Sequence, residues 1–281
     1  MTEWWQHIPE YINPIVFTVG FFSVYWYALF FLMGFLGVFL VMQWLAKKEH
    51  ADLEHADVYD LCLDLFLGAL IGGRLGFVLL YRPDIFLNDP LKIIWPYDGE
   101  SGVWTGLSGM SFHGGLIGVV IALVLFVRRN RGNFWKIADL VALAVPIAFF
   151  FGRIGNFFNQ ELYGRATAQP WGMYFGDTTL RHPSALYEAV LEGIVLFLVL
   201  WLSRRWGLFR GGLSTLLLIF YGGLRFAVEF VREPDHGVSM VAGIFTRGQV
   251  LSGIMMFSGI LLFLWLQKKN RDTLKGQSFI V

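Results

Sequence analysis

The feature that most constrains this chain is a succession of apolar runs, each close to the length a helix needs to cross a bilayer. Spanning the hydrocarbon takes about 20 apolar residues in a helix. Seven segments reach or approach that length: 21–46, 59–81, 113–128, 137–152, 184–203, 212–230 and 248–267. The third and fourth are the shortest, and the third is rich in glycine. Backbone polar groups in lipid must be satisfied within the fold, which favours helices for such runs. No low-complexity linker or hydrophilic block interrupts the series. The expected fold is therefore all-α, a polytopic integral membrane protein of about seven transmembrane helices, in one membrane-embedded domain over 1–281. Composition agrees, since 15% of the residues are charged against about 25% in an ordinary soluble domain.

The basic residues orient the chain. Taking alternate loops, Lys47, Lys48, Arg128, Arg129, Arg131, Lys136, Arg204, Arg205, Arg210, Lys268, Lys269, Arg271 and Lys275 fall on one side, which is thirteen. Six fall on the other: Arg82, Lys92, Arg165, Arg181, Arg232 and Arg247. Cytoplasmic loops carry the excess of Lys and Arg, so the N-terminus is expected outside, the C-terminus inside as a tail over 268–281, and the number of spans odd. The first twenty residues lack a basic region and a small-residue cleavage site, and so do not resemble a signal peptide. They are expected to lie at the interface, with Trp4, Trp5 and Tyr11 at headgroup level. The single cysteine, Cys62, excludes an intrachain disulfide framework.

Three further basic residues, Arg74, Arg153 and Arg225, lie within or at the ends of the apolar runs. A charge at membrane depth costs from about 2.5–3.5 kcal/mol to more than 10, so each needs a partner or a water-filled cavity. Arg153 begins a polar cluster in "FGRIGNFFNQELYGR", residues 151–165, where Asn156, Asn159 and Glu161 follow. In a helix Arg153 and Asn156 share a face, although the glycines and asparagines are equally consistent with unwound or re-entrant backbone. In "YGGLRFAVEFVREPD", residues 221–235, Tyr221, Arg225, Glu229 and Arg232 recur at spacings of four, four and three. One helical face thus carries a phenol, a guanidinium, a carboxylate and a second guanidinium, with Arg225 and Glu229 placed for an i, i+4 ion pair. His113 opens the third run in "GMSFHGGLIG", and "RHPSALYE" opens the fifth, with Glu188 and Glu192 on one face. Tyr25 and Tyr27 lie near the outer end of the first. On the orientation above, these groups converge on the outer half of the membrane. Arginine forks suit bidentate phosphate binding, and at this depth phosphate means a lipid headgroup. A transporter or flippase for an anionic lipid would need a matching inner cluster, where only Asp57, Asp60 and Asp64 are found. A structural polar knot would not explain the depth of Arg225.

These residues resemble a known family. "HGGLIG" at 113–118, "GRIGNFFNQELYGR" at 152–165, "RHPSALYE" at 181–188 and "YGGLRFAVEFVREPD" look like the motifs of phosphatidylglycerol–prolipoprotein diacylglyceryl transferases. The pattern G-R-x-G-N-[FY]-x-N-x-E-x-x-G is met by Gly152, Arg153, Gly155, Asn156, Phe157, Asn159, Glu161 and Gly164. The resemblance implies transfer of the diacylglyceryl group of phosphatidylglycerol to the lipobox cysteine of a prolipoprotein signal peptide. The product is a thioether and glycerol phosphate leaves. It also implies a site at the outer face of the bacterial plasma membrane, no metal or organic cofactor, and no nucleic-acid partner. The family's phosphatidylglycerol-contacting arginines fall on Arg153 and Arg225, with Asn156, Glu161 and Tyr221 as further substrate-binding positions. His113, Glu229 and Tyr27 join Arg225 as catalytic positions. His113 is the expected proton acceptor and Cys62 is expected to play no covalent part. Two departures stand out: the 98–109 loop is longer than usual and is expected to form a different headgroup-level lid, and the 164–181 segment leaves room only for a reduced external head.

Overall fold

The computed structural model describes residues 2–20, 22–48, 55–88, 93, 97–98, 103–104, 110–233 and 245–278. Two short helices come first, α1 (Thr2–Gln6) and α2 (Ile8–Tyr11), followed by a hairpin of β1 (Ile15–Val19) and β2 (Phe22–Tyr25). The long helix α3 (Trp26–Lys48) leads to α4 (His55–Tyr81), α5 (Pro83–Asn88) and the strand pair β3 (Tyr97–Asp98) and β4 (Val103–Trp104). Next are α6 (Phe112–Arg129), α7 (Phe134–Phe158) and α8 (Ser184–Glu188), then a π-helical stretch over Ala189–Val195, α9 (Leu196–Ser203) and a 3₁₀ turn over Arg204–Trp206. The chain closes with α10 (Gly212–Val228) and α11 (Arg247–Ser278).

Among the described residues, five helices are long and apolar enough to cross a membrane: Trp26–Lys48, Ala56–Leu79, Phe134–Phe158, Ser184–Trp206 and Arg247–Thr273. The chain is thus a mostly helical, multi-pass membrane protein. The remaining two expected spans appear as the shorter helices α6 and α10. The first span begins later than 21, because Ile15–Val19 pairs with Phe22–Tyr25 in a hairpin. Alternating β-branched and aromatic residues favour strands there, and Gly20 supplies the left-handed turn at φ 60. The last helix runs on to Ser278 rather than ending at 267.

By packing, the chain divides into two compact units, residues 43–137 and residues 1–42 with 138–281. The first unit is built on the antiparallel pair α4 and α6, which meet along glycines. A Cβ built on Gly68 would lie 2.6 Å from the Gly118 carbonyl oxygen, and one on Gly76 would lie 2.6 Å from the Gly114 Cα. Nothing larger than hydrogen fits, and the backbones close to van der Waals contact, as small-residue stripes allow in lipid. Ser111 caps α6, its hydroxyl accepting from the Gly114 N–H at 3.2 Å. At the other end Arg129 pairs with Asp64 at 3.0 Å.

In the second unit α3 packs antiparallel on α7, with Gly34 against Ala148 and Phe151, and Gly155 against Tyr27. Helix α10 packs antiparallel on α11, with Gly222 against Ser252 and Met256. The Asp139 carboxylate accepts from the Gly211 and Ser214 N–H groups at 2.7 and 2.8 Å, tying α7 to the start of α10. The segment after α7 is a short irregular ladder rather than a domain: Ala166 and Met173 both bridge to Arg181, and Gly164 bridges to Arg232. The N-terminal segment is fastened to it. Trp5 Nε1 donates to the Trp171 carbonyl at 2.9 Å, the Tyr174 N–H donates to the Gln6 carbonyl at 2.8 Å, and His7 stacks on Tyr174. Beneath lies a small apolar core of Phe157, Met173 and Ala185, sealed by Ile8 and Ile12. Trp4 and Tyr11 remain exposed, as interfacial aromatics would be.

Candidate active site

Helix α7 does not unwind at its polar end. It continues to Phe158 and stops where Gln160 takes a left-handed conformation at φ 56, as at a helix C-cap. The Glu161 N–H then donates to the Asn156 carbonyl at 2.9 Å, and its carboxylate turns back over the helix end. Asn159 Nδ2 donates to it at 3.2 Å, and Asn156 Nδ2 lies 3.4 Å away. The Gln160 amide reaches the Pro9 and Ile12 carbonyls at 2.9 and 3.1 Å. Of the alternatives open in the sequence, the helix is the one formed, and the asparagines serve to hold Glu161.

One turn deeper, Arg153 meets two carboxylates that sequence reasoning had placed on one face but not in the site. Glu188 and Glu192 are fully buried. Glu188 sits at the centre. Arg153 Nε lies 2.8 Å from its Oε2, while Arg225 Nη1 and Arg232 Nη1 donate to its Oε1 at 2.6 and 3.2 Å. Glu192 lies on the next turn, inside the π-helical stretch, with Arg153 Nη2 donating to its Oε2 at 3.3 Å and Arg225 Nη1 3.5 Å from its Oε1. Single π-type turns inside α-helices recur at functional sites. Here the turn carries Gly193 flush against Phe150 of α7, which lets the two carboxylates face Arg153.

The third carboxylate is Glu229, 4% exposed. Arg225 Nη2 donates to its Oε1 at 2.6 Å, the i, i+4 pair expected from the spacing. Thr246 donates to its Oε2 at 2.8 Å. Thr246 and Gln249 also form a capping box at the start of α11, the Gln249 N–H donating to Thr246 Oγ1 and the Thr246 N–H donating to Gln249 Oε1, both at 3.0 Å. Glu229 therefore rests at the positive end of α11. Three guanidinium groups, of Arg153, Arg225 and Arg232, and three carboxylates form one network whose formal charges cancel. Desolvation of each member is offset only while its partners stay in place. Arg232, counted with the outer loops, is buried in this network at 8% exposure, because the turn after α10 folds back, the Arg232 N–H donating to the Val228 carbonyl at 3.1 Å.

Of the other expected site residues, Tyr221 is buried against Phe149, with ring centroids 4.8 Å apart, within electrostatic reach of Glu192, Arg153 and Arg225. Tyr27 lies over Gly155, between Arg153 and Asn156 along α7. Arg153, Asn156, Glu161, Tyr221, Arg225, Glu229 and Tyr27 thus all belong to one unit. His113 belongs to the other, at the second residue of α6, and its side chain lies outside the described residues. Arg74 is also in that unit, its Nε donating to the Ile93 carbonyl at 2.9 Å. Most of the 98–109 loop, and Pro234 and Asp235, lie outside the described residues.

Outside the membrane-spanning segments, Arg181 lies over the Tyr163 ring and pairs with Asp177 and Glu233. Burial pulls its pKa down, but these carboxylates outweigh it and leave the guanidinium above its usual value. The Thr179 N–H first, then Arg181, hold the Asp177 carboxyl below the usual range. Among the described residues no group of three or more His, Cys, Asp or Glu side chains is arranged to hold a metal.

What this network can do chemically is hold an anion. A guanidinium offers five N–H donors, and Arg153 spends its Nε and Nη2 on carboxylates, leaving Nη1 without a protein partner among the described residues. Comparison with known proteins identifies the family. The family model for prolipoprotein diacylglyceryl transferase matches residues 14–265. The phosphatidylglycerol–prolipoprotein diacylglyceryl transferase of Chlorobaculum tepidum is 43% identical over 282 residues, covering 98% of both chains. Its counterpart in Campylobacter jejuni is 41% identical over 272 residues, 95% of this chain and 98% of that one. The Pseudoalteromonas atlantica protein is 44% identical over 268 residues, 92% and 91% of the two chains. The match crosses both units and takes in every motif of the site: the chain belongs to the prolipoprotein diacylglyceryl transferase family.

Proposed function

We propose that this protein transfers the diacylglyceryl group of phosphatidylglycerol to the lipobox cysteine thiol of a prolipoprotein signal peptide. It does so at the outer face of a bacterial inner membrane, with the N-terminus outside, seven membrane crossings and a cytoplasmic C-terminus. The observation that carries the reading is the pair Arg153 and Arg225, whose side chains are 16% and 14% exposed and are joined through the fully buried Glu188. Two preorganised forks in a low-dielectric site suit a phosphodiester whose charge grows as it leaves.

The orientation is supported by a recurrent pattern. Lys48 lies over Trp44, Arg204 over Trp201 and Lys269 over Trp265, at 4.5, 4.1 and 5.2 Å from the ring centroids. Each pair ends a span that the charge bias directs inward, and tryptophan with a basic residue is the expected headgroup-level anchor.

In the reaction the thiolate sulfur attacks the glyceryl carbon bonded to the phosphate oxygen. The carbon–oxygen bond breaks and glycerol phosphate leaves with the bonding pair. Arg153 and Arg225 stabilise its second negative charge. Glu188 and Glu229 keep the forks oriented, and Tyr221, Tyr27, Asn156 and Glu161 line the approach. A thiol with pKa near 8.5 is only a few per cent ionised at neutral pH, so a base helps, and His113 is proposed for that role. The peptide brings its own nucleophile. Cys62, buried in α4, takes no covalent part. Purified protein, labelled phosphatidylglycerol and a lipobox peptide test the proposal: a thioether-linked diacylglyceryl peptide is expected, and its absence under conditions where the protein stays folded would refute it.

A further inference from the structure

We infer that Glu192 is the exchangeable counter-ion of the arginine pair: it occupies Arg153 and Arg225 while the site is empty and takes up one proton when a phosphate anion replaces it. This rests on the reading of the site as a phosphatidylglycerol site.

The two central carboxylates differ. Glu188 is held at 2.6 and 2.8 Å by Arg225 and Arg153, and at 3.2 Å by Arg232. Glu192 is as deeply buried, yet its distances to Arg153 and Arg225 are 3.3 and 3.5 Å. Each carboxylate has one oxygen without a hydrogen bond among the described residues, but that of Glu188 lies 2.8 Å from Arg153 Nε, whereas Glu192 Oε1 lies 3.5 Å from Arg225 Nη1. A buried carboxylate oxygen without a donor is costly as an anion, and much less so once protonated. The groups facing Glu192 are Arg153 from α7, Arg225 and Tyr221 from α10, and Glu188 one turn earlier. With three guanidinium groups against three carboxylates the network is neutral. A phosphodiester brings one more negative charge into a region of low dielectric, where unbalanced charge is expensive. One proton entering with it restores neutrality, and Glu192 is the carboxylate whose loss of guanidinium contacts breaks the fewest short bonds. The π-helical stretch around it supplies a turn able to readjust. The balance closes: one proton is taken from solvent as the headgroup binds, and one returns when the phosphate product leaves and Glu192 regains Arg153.

The experiment is proton uptake, followed with an indicator dye in weakly buffered detergent solution as phosphatidylglycerol is added, with diacylglycerol as the uncharged comparison. The expected result is about one proton per phosphatidylglycerol in the parent protein and about none in Glu192→Gln, whose amide imitates the protonated carboxyl. In turnover, the parent KM for phosphatidylglycerol should rise about tenfold per pH unit above the midpoint, as one-proton linkage requires, whereas that of Glu192→Gln should stay flat. Equal proton uptake in the two proteins, no uptake in the parent, or an unchanged KM slope in Glu192→Gln would each overturn the inference. If Glu192→Gln does not insert, Glu192→Asp is compared with the parent by infrared difference spectroscopy. The carboxylic-acid band that appears on adding phosphatidylglycerol should shift, and an unshifted band places the proton elsewhere and refutes the idea. Proton-linked binding without transfer would remove the transferase reading and keep the role of Glu192. Transfer without proton uptake would do the reverse.

Discussion

A single methyl group placed at Gly248 should disable the site from the far side of the ion-pair network. Gly248 lies in the first turn of α11, and a Cβ there would sit 2.5 Å from both Cδ and Oε1 of Glu229, and 2.8 Å from Oε2. The backbone is helical and accepts alanine without strain, so the whole effect must come through the displaced carboxylate. Glu229 cannot retreat within its present contacts, since it accepts from Arg225 Nη2 at 2.6 Å and from Thr246 at 2.8 Å. Losing the Arg225 bond alone removes a hydrogen bond to a charged group, about 1.5–3 kcal/mol. If that bond aims the Arg225 fork in the transition state, kcat/KM should fall about 10- to 150-fold at a factor of ten per 1.36 kcal/mol. The assay is transfer of labelled diacylglyceryl to a lipobox peptide, with melting temperature in detergent as the check on folding. Gly253→Ala is the comparison on the same helix: nothing lies within 4 Å of its added Cβ, and activity should be unchanged. Shortening the acid should relieve the clash, so Gly248→Ala with Glu229→Asp should recover part of what Gly248→Ala loses. A folded Gly248→Ala protein with activity within twofold of the parent would refute the argument that Glu229 aims Arg225.

Four further outcomes are expected. Arg153→Lys keeps the charge but loses the fork, and should approach Arg153→Ala, for which a loss of about 10²–10³ in rate is expected; parent-like turnover would remove Arg153 from the site. Gly118→Ala forces a methyl into the Gly68 backbone, and should lower the melting temperature in detergent by an amount corresponding to at least the 1–3 kcal/mol of ordinary overpacking, about the upper end or more. His113→Gln should lose most activity and regain part of it as pH rises toward the thiol pKa of about 8.5, while Cys62→Ala retains it; an unchanged pH profile would remove His113 as the base. In a Cys62→Ala background, a cysteine at Gln169 should react with an impermeant thiol reagent in permeabilised-envelope cells and one at Asp272 should not, the reverse pattern overturning the orientation.

Much of the ion-pair network was legible because lipid makes polar residues conspicuous. Arg153 and Arg225 stood out by depth alone, and the spacing of Arg225 and Glu229 predicted a pair found at 2.6 Å. Glu188 and Glu192 were seen on one face but left out of the site. The signal that identifies them is simple: a carboxylate within an apolar run carries the same penalty as an arginine, so both signs have to be counted together. At the outer ends of the fourth, fifth and sixth runs this adds Glu188, Glu192 and Glu229 to Arg153 and Arg225, and Arg232, just past the sixth run, completes the network observed. Other features had no local signature. The π-helical stretch over Ala189–Val195 depends on Gly193 meeting Phe150, 43 positions earlier in the chain. The approach of Gly248 to Glu229 depends on how α10 and α11 cross.

The proposed headgroup site bears on whether these charges merely lock helices together. A purely structural knot of buried ions is stable when every donor and acceptor is engaged, since half-satisfied networks in low dielectric are worse than an apolar core. Native proteins leave few buried polar groups unpaired. Among the described residues, four buried side-chain oxygens lack a hydrogen bond, and three of them, Asn159 Oδ1, Glu188 Oε2 and Glu192 Oε1, belong to this network and its immediate edge. Glu188 Oε2 lies 2.8 Å from Arg153 Nε without the alignment of a hydrogen bond. The incompleteness thus gathers around Arg153, the residue with donors to spare and the one at the polar end of α7. A knot would have closed there. A site for an anionic headgroup has to stay open there, with its arginines held firmly on one side by Glu188 and loosely on the other by Glu192.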